Sequence, residues 1–201
     1  PEYDAKTHIC ALQKSAIGEK AVTFINDGDI LILDAGTTCL QIAKQISIGN
    51  FAKLSVITSD IISARELNSN PDIRVILLGG VVRNQYHCVF GAFAENFVSN
   101  MRANKYFFAF DGFTPDRGFS STFLEEIPLK QKMIEISQSV IAVSDSSKIG
   151  TDALYTICSP DKVSLLITDS GIDSRYKKSI FSMGIEIAIV EAQENKPSFM
   201  S

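Results

Sequence analysis

The feature that most constrains this chain is a series of seven short apolar runs, each closed by a small polar or acidic residue. They cover residues 30–33, 54–58, 73–78, 106–110, 140–143, 163–168 and 185–190. The continuous branched-aliphatic run 30–33 reads as a strand buried on both faces of a parallel sheet, and the other runs as further strands. Parallel strands need crossovers, and helical spacing lies between the runs. After the first run, Cys39, Ile42, Ala43 and Ile46 recur at i, i+3, i+4 and i+7. Helices are also expected over 7–25, from Ser59 and Asp60 through Leu67, over 92–101 and over 129–138. The pattern predicts an α/β fold: an open, mostly parallel, Rossmann-like sheet with helices on both faces. Residues 81–89 read as a loop, and Pro115, Asp116, Arg117 and Gly118 as a β-turn.

The polar stops share one position in the pattern. Asp34, Thr58, Gly79, Asp111, Asp145 and Asp169 each fall at the C-terminal end of a run. Ligands bind at that edge of open α/β sheets, so these residues should converge on one rim. The turn from Asp34 to Thr38 is the most informative of them. It places Gly36, Thr37 and Thr38 at a helix start, where unpaired N–H groups, the dipole and two hydroxyls can hold phosphate or carboxylate. Threonine is equally a good helix cap, so the turn alone does not separate the two roles. The paired Gly79 and Gly80 allow positive φ or close backbone approach to a ligand.

Bulk properties narrow the classes. A chain of 201 residues holds one sizeable core. Its net charge is −4 and no run of Lys and Arg occurs, which argues against gripping DNA directly. The four cysteines form no C-x-x-C pair, and His8 and His87 lack ligand partners at zinc spacing, so no metal is expected. There is no phosphate loop of the G-x-x-x-x-G-K-[ST] type and no G-x-G-x-x-G after the first run, and no cofactor is expected. No stretch is long and apolar enough to span a bilayer and no signal peptide opens the chain, so a cytoplasmic protein without a membrane partner is expected. Pro1 and its polar neighbours suggest a piece of something longer.

Hydroxyls, Arg83, Lys130, Lys148 and several aspartates at one rim suit a small polyhydroxylated anion, most economically a sugar phosphate. Glu126 as general base with Lys148 would permit an isomerase instead, although Glu125 and Glu126 also simply favour a helix N-terminus.

Together these residues resemble the C-terminal effector-sensing domain of the DeoR family of bacterial transcriptional regulators, whose fold is that of ribose-5-phosphate isomerase A within the isomerase and CoA-transferase-like group. The resemblance rests on Asp34-x-Gly36-Thr37-Thr38, Thr58, Leu77-Leu78-Gly79-Gly80 with Arg83, Gly91, the 107–112 segment, Gly118 with Ser120 and Ser121, Leu124-Glu125-Glu126 with Lys130, Asp145-x-Ser147-Lys148, and Thr168-Asp169. It departs at Ser59, where the family usually carries Asn, and at Ala109, where Gly is common.

The resemblance implies a sensing domain over 1–192, and the final stretch, 193–201, reads as a flexible tail. It implies operator DNA contact only through an N-terminal winged helix-turn-helix outside this sequence, and a homo-oligomer. The phosphorylated-sugar effector would meet Asp34, Gly36, Thr37, Thr38, Thr58, Gly79, Gly80, Asp111, Lys130 and Lys148, with Ser59, Arg83, Gly112 and Glu126 beside them. The alternatives are a sugar-phosphate isomerase and, more remotely, a CoA-transferase- or initiation-factor-like assembly subunit.

Overall fold

The computed structural model describes residues 3–192. The chain runs α1 (Tyr3–His8), α2 (Ala11–Val22), β1 (Ile30–Leu33), α3 (Thr37–Ile48), β2 (Ser55–Thr58), α4 (Ile61–Leu67) and β3 (Arg74–Leu77). It continues through β4 (Val81–Arg83), β5 (Cys88–Phe90), α5 (Ala92–Ser99), β6 (Ala103–Phe108), β7 (Gly112–Thr114) and β8 (Gly118–Ser121). Then come α6 (Ile127–Glu135), β9 (Ser137–Val143), β10 (Tyr155–Cys158), β11 (Leu165–Asp169), α7 (Ser174–Ser182) and β12 (Glu186–Val190). The seven apolar runs become the seven strands of one all-parallel sheet in the order β12-β11-β9-β6-β1-β2-β3. β1 sits inside the sheet, with Ile32 beside Ile57 of β2 and Tyr106 of β6.

The pleat sorts each strand between two cores. Leu31 and Leu33, Phe107, Ile141 and Val143 pack on one face with Ile17 and Ala21 of α2 and Ile42 and Ile46 of α3. Ile32, Tyr106, Phe108, Val140 and Ala142 face the other side, against Ala94 and Val98 of α5, Leu129 and Met133 of α6 and Ile180 of α7. The central strands are therefore buried on both faces over their C-terminal halves, which is why their sequences show runs rather than alternation. Exposed apolar residues of the sheet are the entry residue Ile30 and, on the edge strands, Leu77 and Ile189. Fully burying each such side chain contributes about 1.5–3 kcal/mol.

Several elements differ from the sequence expectation. The helix over 7–25 is two helices, because Cys10 adopts left-handed φ 54°, ψ 38° between α1 and α2. The loop over 81–89 is the antiparallel hairpin β4–β5, turned through non-glycine residues Gln85 and His87 at positive φ. A Cβ on Gly80 would lie 2.5 Å from the Phe90 carbonyl oxygen, so this glycine makes room for the hairpin rather than for a ligand. The strand over 106–110 stops at Phe108, because the Ala109 N–H turns away to Asp34 Oδ2 and the Asp111 N–H to the Ser120 carbonyl. The turn around Gly118 joins β7 to β8 in a second, antiparallel sheet β10-β8-β7. Phe119 of that sheet packs edge-on to Phe108 and Phe110, at ring-centroid distances of 5.6 and 4.9 Å. β10 and α7 have no counterpart in the sequence reading. Pro128 lies at the start of α6, where a missing N–H costs nothing. The segment expected to form a tail, 193–201, lies outside the described residues.

Candidate functional site

The C-terminal ends of β1, β6 and β9 open into one cavity of about 180 Å³. Its floor is the turn after β1. There Asp34 is buried, with Oδ1 accepting from the Ala35 N–H at 2.9 Å and Oδ2 from the Ala109 N–H at 2.9 Å. Lys130 Nζ, reaching in from α6, donates to Asp34 Oδ2 at 2.5 Å and to the Ala109 carbonyl at 2.9 Å. Burial works against the Lys130 charge, but the carboxylates of Asp34 and Glu126 outweigh it and hold the ammonium above its ordinary pKa. Asp34 thus ties β1, β6 and α6 together beneath the cavity and has no oxygen to spare.

Asp60, at the end of β2, fixes the same turn from the other side. Its carboxylate accepts from the Ser63 N–H at 2.8 Å, capping α4, and from the Gly36 N–H at 3.2 Å. Burial raises its pKa against those two backbone bonds. Gly36 has φ 135°, a left-handed conformation that L side chains strain to adopt, although a Cβ there would meet only Ala109 at 3.8 Å. No side chain caps α3, so the positive end of a 12-residue helix, with Thr37 and Thr38, borders the cavity.

The remaining walls are charged. Arg83, on the hairpin β4–β5, is sandwiched between the rings of Tyr86 at 3.7 Å and Phe123 at 3.6 Å, and lies 3.6 Å from Glu126 Oε2. Glu126 also accepts from Ser121 Oγ at 2.5 Å and faces Lys130 at 3.8 Å. Asp111 accepts from the Thr122 N–H at 3.0 Å and hydroxyl at 2.8 Å and pairs with Lys6 at 3.4 Å. Burial raises its pKa, but Lys6 and the Thr122 donors prevail and pull it down to about 2. Lys148 ends a single 3₁₀ turn capped by Asp145, whose carboxylate accepts from the Ser147 N–H. In all, Lys6, Lys14, Arg83, Lys130 and Lys148 line the cavity against the carboxylates of Asp111, Glu126 and Asp145. On a chain of net charge −4, this is a local surplus of positive charge.

Of the residues singled out from sequence, Gly36, Thr37, Thr38, Arg83, Asp111, Glu126, Lys130 and Lys148 line the cavity together. Asp34 lies beneath it, and Ser59 beside it under the hairpin. Thr58 is fully buried, with its hydroxyl accepting from the Asp60 N–H at 3.0 Å. Gly79 and Gly80 are exposed and away from the cavity. Gly112 is buried in β7, where a Cβ would come within 2.7 Å of the Thr151 carbonyl oxygen. Lys6, Ile9 and Lys14 were not anticipated. For Lys14 a signal existed: Lys14, Ile17, Gly18 and Ala21 form the buried i, i+3, i+4, i+7 stripe of α2, and the first of these is a cation. Among the described residues no group of three His, Cys, Asp or Glu is placed to hold a metal, and no helix is long and apolar enough to cross a membrane.

An open parallel sheet with a polar cavity at its C-terminal rim and a small antiparallel sheet beside it defines the ribose-5-phosphate isomerase-like class of α/β domains. A ribose 5-phosphate isomerase from Plasmodium falciparum shares this fold with a TM-score of 0.50 at 15% identity, over 72% of this chain and 55% of that one. Within that class, this chain belongs to the DeoR C-terminal sensor domains, whose family model matches residues 10–170. It is 32% identical over 179 residues to the HTH-type transcriptional regulator GolR of Listeria innocua, covering 89% of this chain and 70% of the relative. It is 29% identical over 194 residues to the HTH-type transcriptional repressor GlcR of Bacillus subtilis, covering 96% of this chain and 74% of the relative. These relatives are named as regulators, not as enzymes.

Proposed function

We propose that the cavity binds a small phosphorylated sugar or closely related metabolite, and that occupancy changes the operator affinity of a DNA-binding unit joined to this domain. The observation that carries the reading is the uncapped N-terminus of α3 opening into a cavity with a surplus of cations. Together these suit a phosphoryl group, whose oxygens accept and carry negative charge. The carboxylates of Asp111 and Asp145 are acceptors for sugar hydroxyls. Calorimetric titration against a panel of sugar phosphates and the matching free sugars tests it: at least one phosphorylated sugar should bind while its free sugar does not. Failure of every phosphorylated sugar to bind overturns the reading.

A sensing role without turnover is favoured over isomerisation because both oxygens of Glu126 are engaged, one by Ser121 and the other by Arg83. Aldose phosphates that bind should be recovered unchanged; interconversion to the ketose, abolished in Glu126→Gln, would instead establish an enzyme. Regulation follows from population shift: the effector favours the arrangement of subunits to which it binds better, and operator affinity follows that difference. A homo-oligomer is part of this proposal, and sedimentation velocity with and without the bound sugar phosphate checks it.

A further inference from the structure

We infer that Lys14 of α2 is an anion-recognition residue of the cavity, so that a bound phosphoryl group bridges the N-terminal helices to the sheet rim. Lys14 is 6% exposed, yet its Nζ borders the cavity, where its hydrogen-bond partner is the carbonyl of Lys6 at 2.6 Å. Among residues 5–192, no carboxylate lies in ion-pair range of it or of Lys148. The charged groups that face Lys14 are Asp145, Lys148 and Lys6. Asp145, whose Oδ1 accepts from Ser147, attracts Lys14 only from beyond ion-pair range, and the two lysines repel. A buried ammonium is costly without a counter-charge, and here Lys14 and Lys148 converge without an ion-pair partner, beside Lys6, which is paired with Asp111. A dianionic oxyacid placed between Lys14, Lys148 and the N-terminus of α3 supplies it.

The consequence lies in what the N-terminal segment is attached to. None of residues 5–13 is buried. Lys6, in α1, instead reaches Asp111 on the rim at 3.4 Å, and its carbonyl receives Lys14. Two of the cavity's cations, Lys6 and Lys14, thus come from the segment nearest the N-terminus. An anion held by Lys14 and Lys148 links this segment to the end of β9, beside the Lys6–Asp111 pair. This deepens the sugar-phosphate reading and rests on it for the identity of the natural anion, but not for the anion site itself.

Inorganic phosphate is the probe that separates the two. At constant ionic strength, phosphate should raise the melting midpoint of the wild-type chain and of Lys44→Met, whose lysine is exposed on α3, but not of Lys14→Met or Lys148→Met. Lys14→Arg should restore the effect. Amide exchange over residues 5–10 should slow on adding phosphate in the wild type only. Phosphate affinity should fall roughly tenfold or more in Lys14→Met, as expected for losing a charge-assisted hydrogen bond. Should Lys14→Met not fold, Lys148→Met carries the test alone, because Lys148 is only half-buried in its turn. Equal stabilisation of wild type and both variants, or no stabilisation of the wild type, overturns the inference. If a sugar phosphate binds wild type and Lys14→Met equally, the effector reading stands and this one falls. If inorganic phosphate binding requires Lys14 but no sugar phosphate binds, the reverse holds.

Discussion

Lys130 and Lys14 are both buried lysines that reach the same cavity, from helices packed on opposite faces of the sheet. They differ in what compensates their charge. Lys130 has Asp34 at 2.5 Å, the Ala109 carbonyl at 2.9 Å and Glu126 at 3.8 Å, and its pKa is held up. Lys14 has one carbonyl, and burial with neighbouring lysines pushes its pKa down against the pull of Asp145. Burial therefore does not mark a ligand contact; the missing counter-charge does. Lys130 holds the floor together, whereas Lys14 has charge left for a ligand.

The largest effect should come from Asp34→Ala, which strands the Lys130 ammonium in the interior. Chemical denaturation should show a loss of about 3–5 kcal/mol, and adding Lys130→Met should recover much of it. A loss below about 1 kcal/mol would break the comparison, since Lys130 would then need no partner. Gly36→Ala should cost about 1–3 kcal/mol through backbone strain alone, because the space beside it is open. It should weaken anion binding in the same measurement series. Thr38→Val keeps shape and removes one hydroxyl at the mouth of α3. Effector affinity should fall roughly tenfold with the melting midpoint nearly unchanged; undiminished affinity would return the two threonines to a capping or packing role.

A subtler effect concerns acid. The folded-state pKa of Asp111 lies below its ordinary value of 3.8, at about 2, so its contribution is present above that ordinary value and is lost as pH falls through this interval. Plotting melting midpoint against pH, Asp111→Asn should lie below wild type at neutral pH and fall less steeply in that window. Parallel curves would show that Lys6 does not engage Asp111 in solution. The smallest change should be Lys132→Ala, whose exposed pair with Glu135 is worth less than about 0.5 kcal/mol.

Much of this was readable from the chain. Each apolar run became a strand of the parallel sheet because a strand covered by helices on both sides has no polar face to show. The turn at Asp34 and Gly36 was readable because an acid and a glycine interrupt such a run just before helical spacing begins. The hairpin β4–β5 escaped notice because its strands have three residues each and its turn uses Gln85 and His87 rather than glycine at positive φ. β10 was missed because its partner, β8, lies more than thirty positions earlier, and edge pairing of that range leaves no local period. The kink at Cys10 was missed because a non-glycine residue at φ 54° is stabilised by its surroundings, not by its own preference.

By itself, then, the sequence determined the α/β class, the strand list and the rim at which polar residues gather, since period and chain punctuation are local properties. The tertiary structure alone decided which of those polar residues share a cavity. Thr58, Gly79 and Gly80 stand at strand ends as Asp111 does, yet they are buried elsewhere or turned away, while Lys6 and Lys14 arrive from the far end of the chain. It also decided that Asp34 is consumed by Lys130 and that Lys14 is not consumed by anything comparable. Charge compensation depends on distances between residues up to 105 positions apart, and no local pattern encodes those.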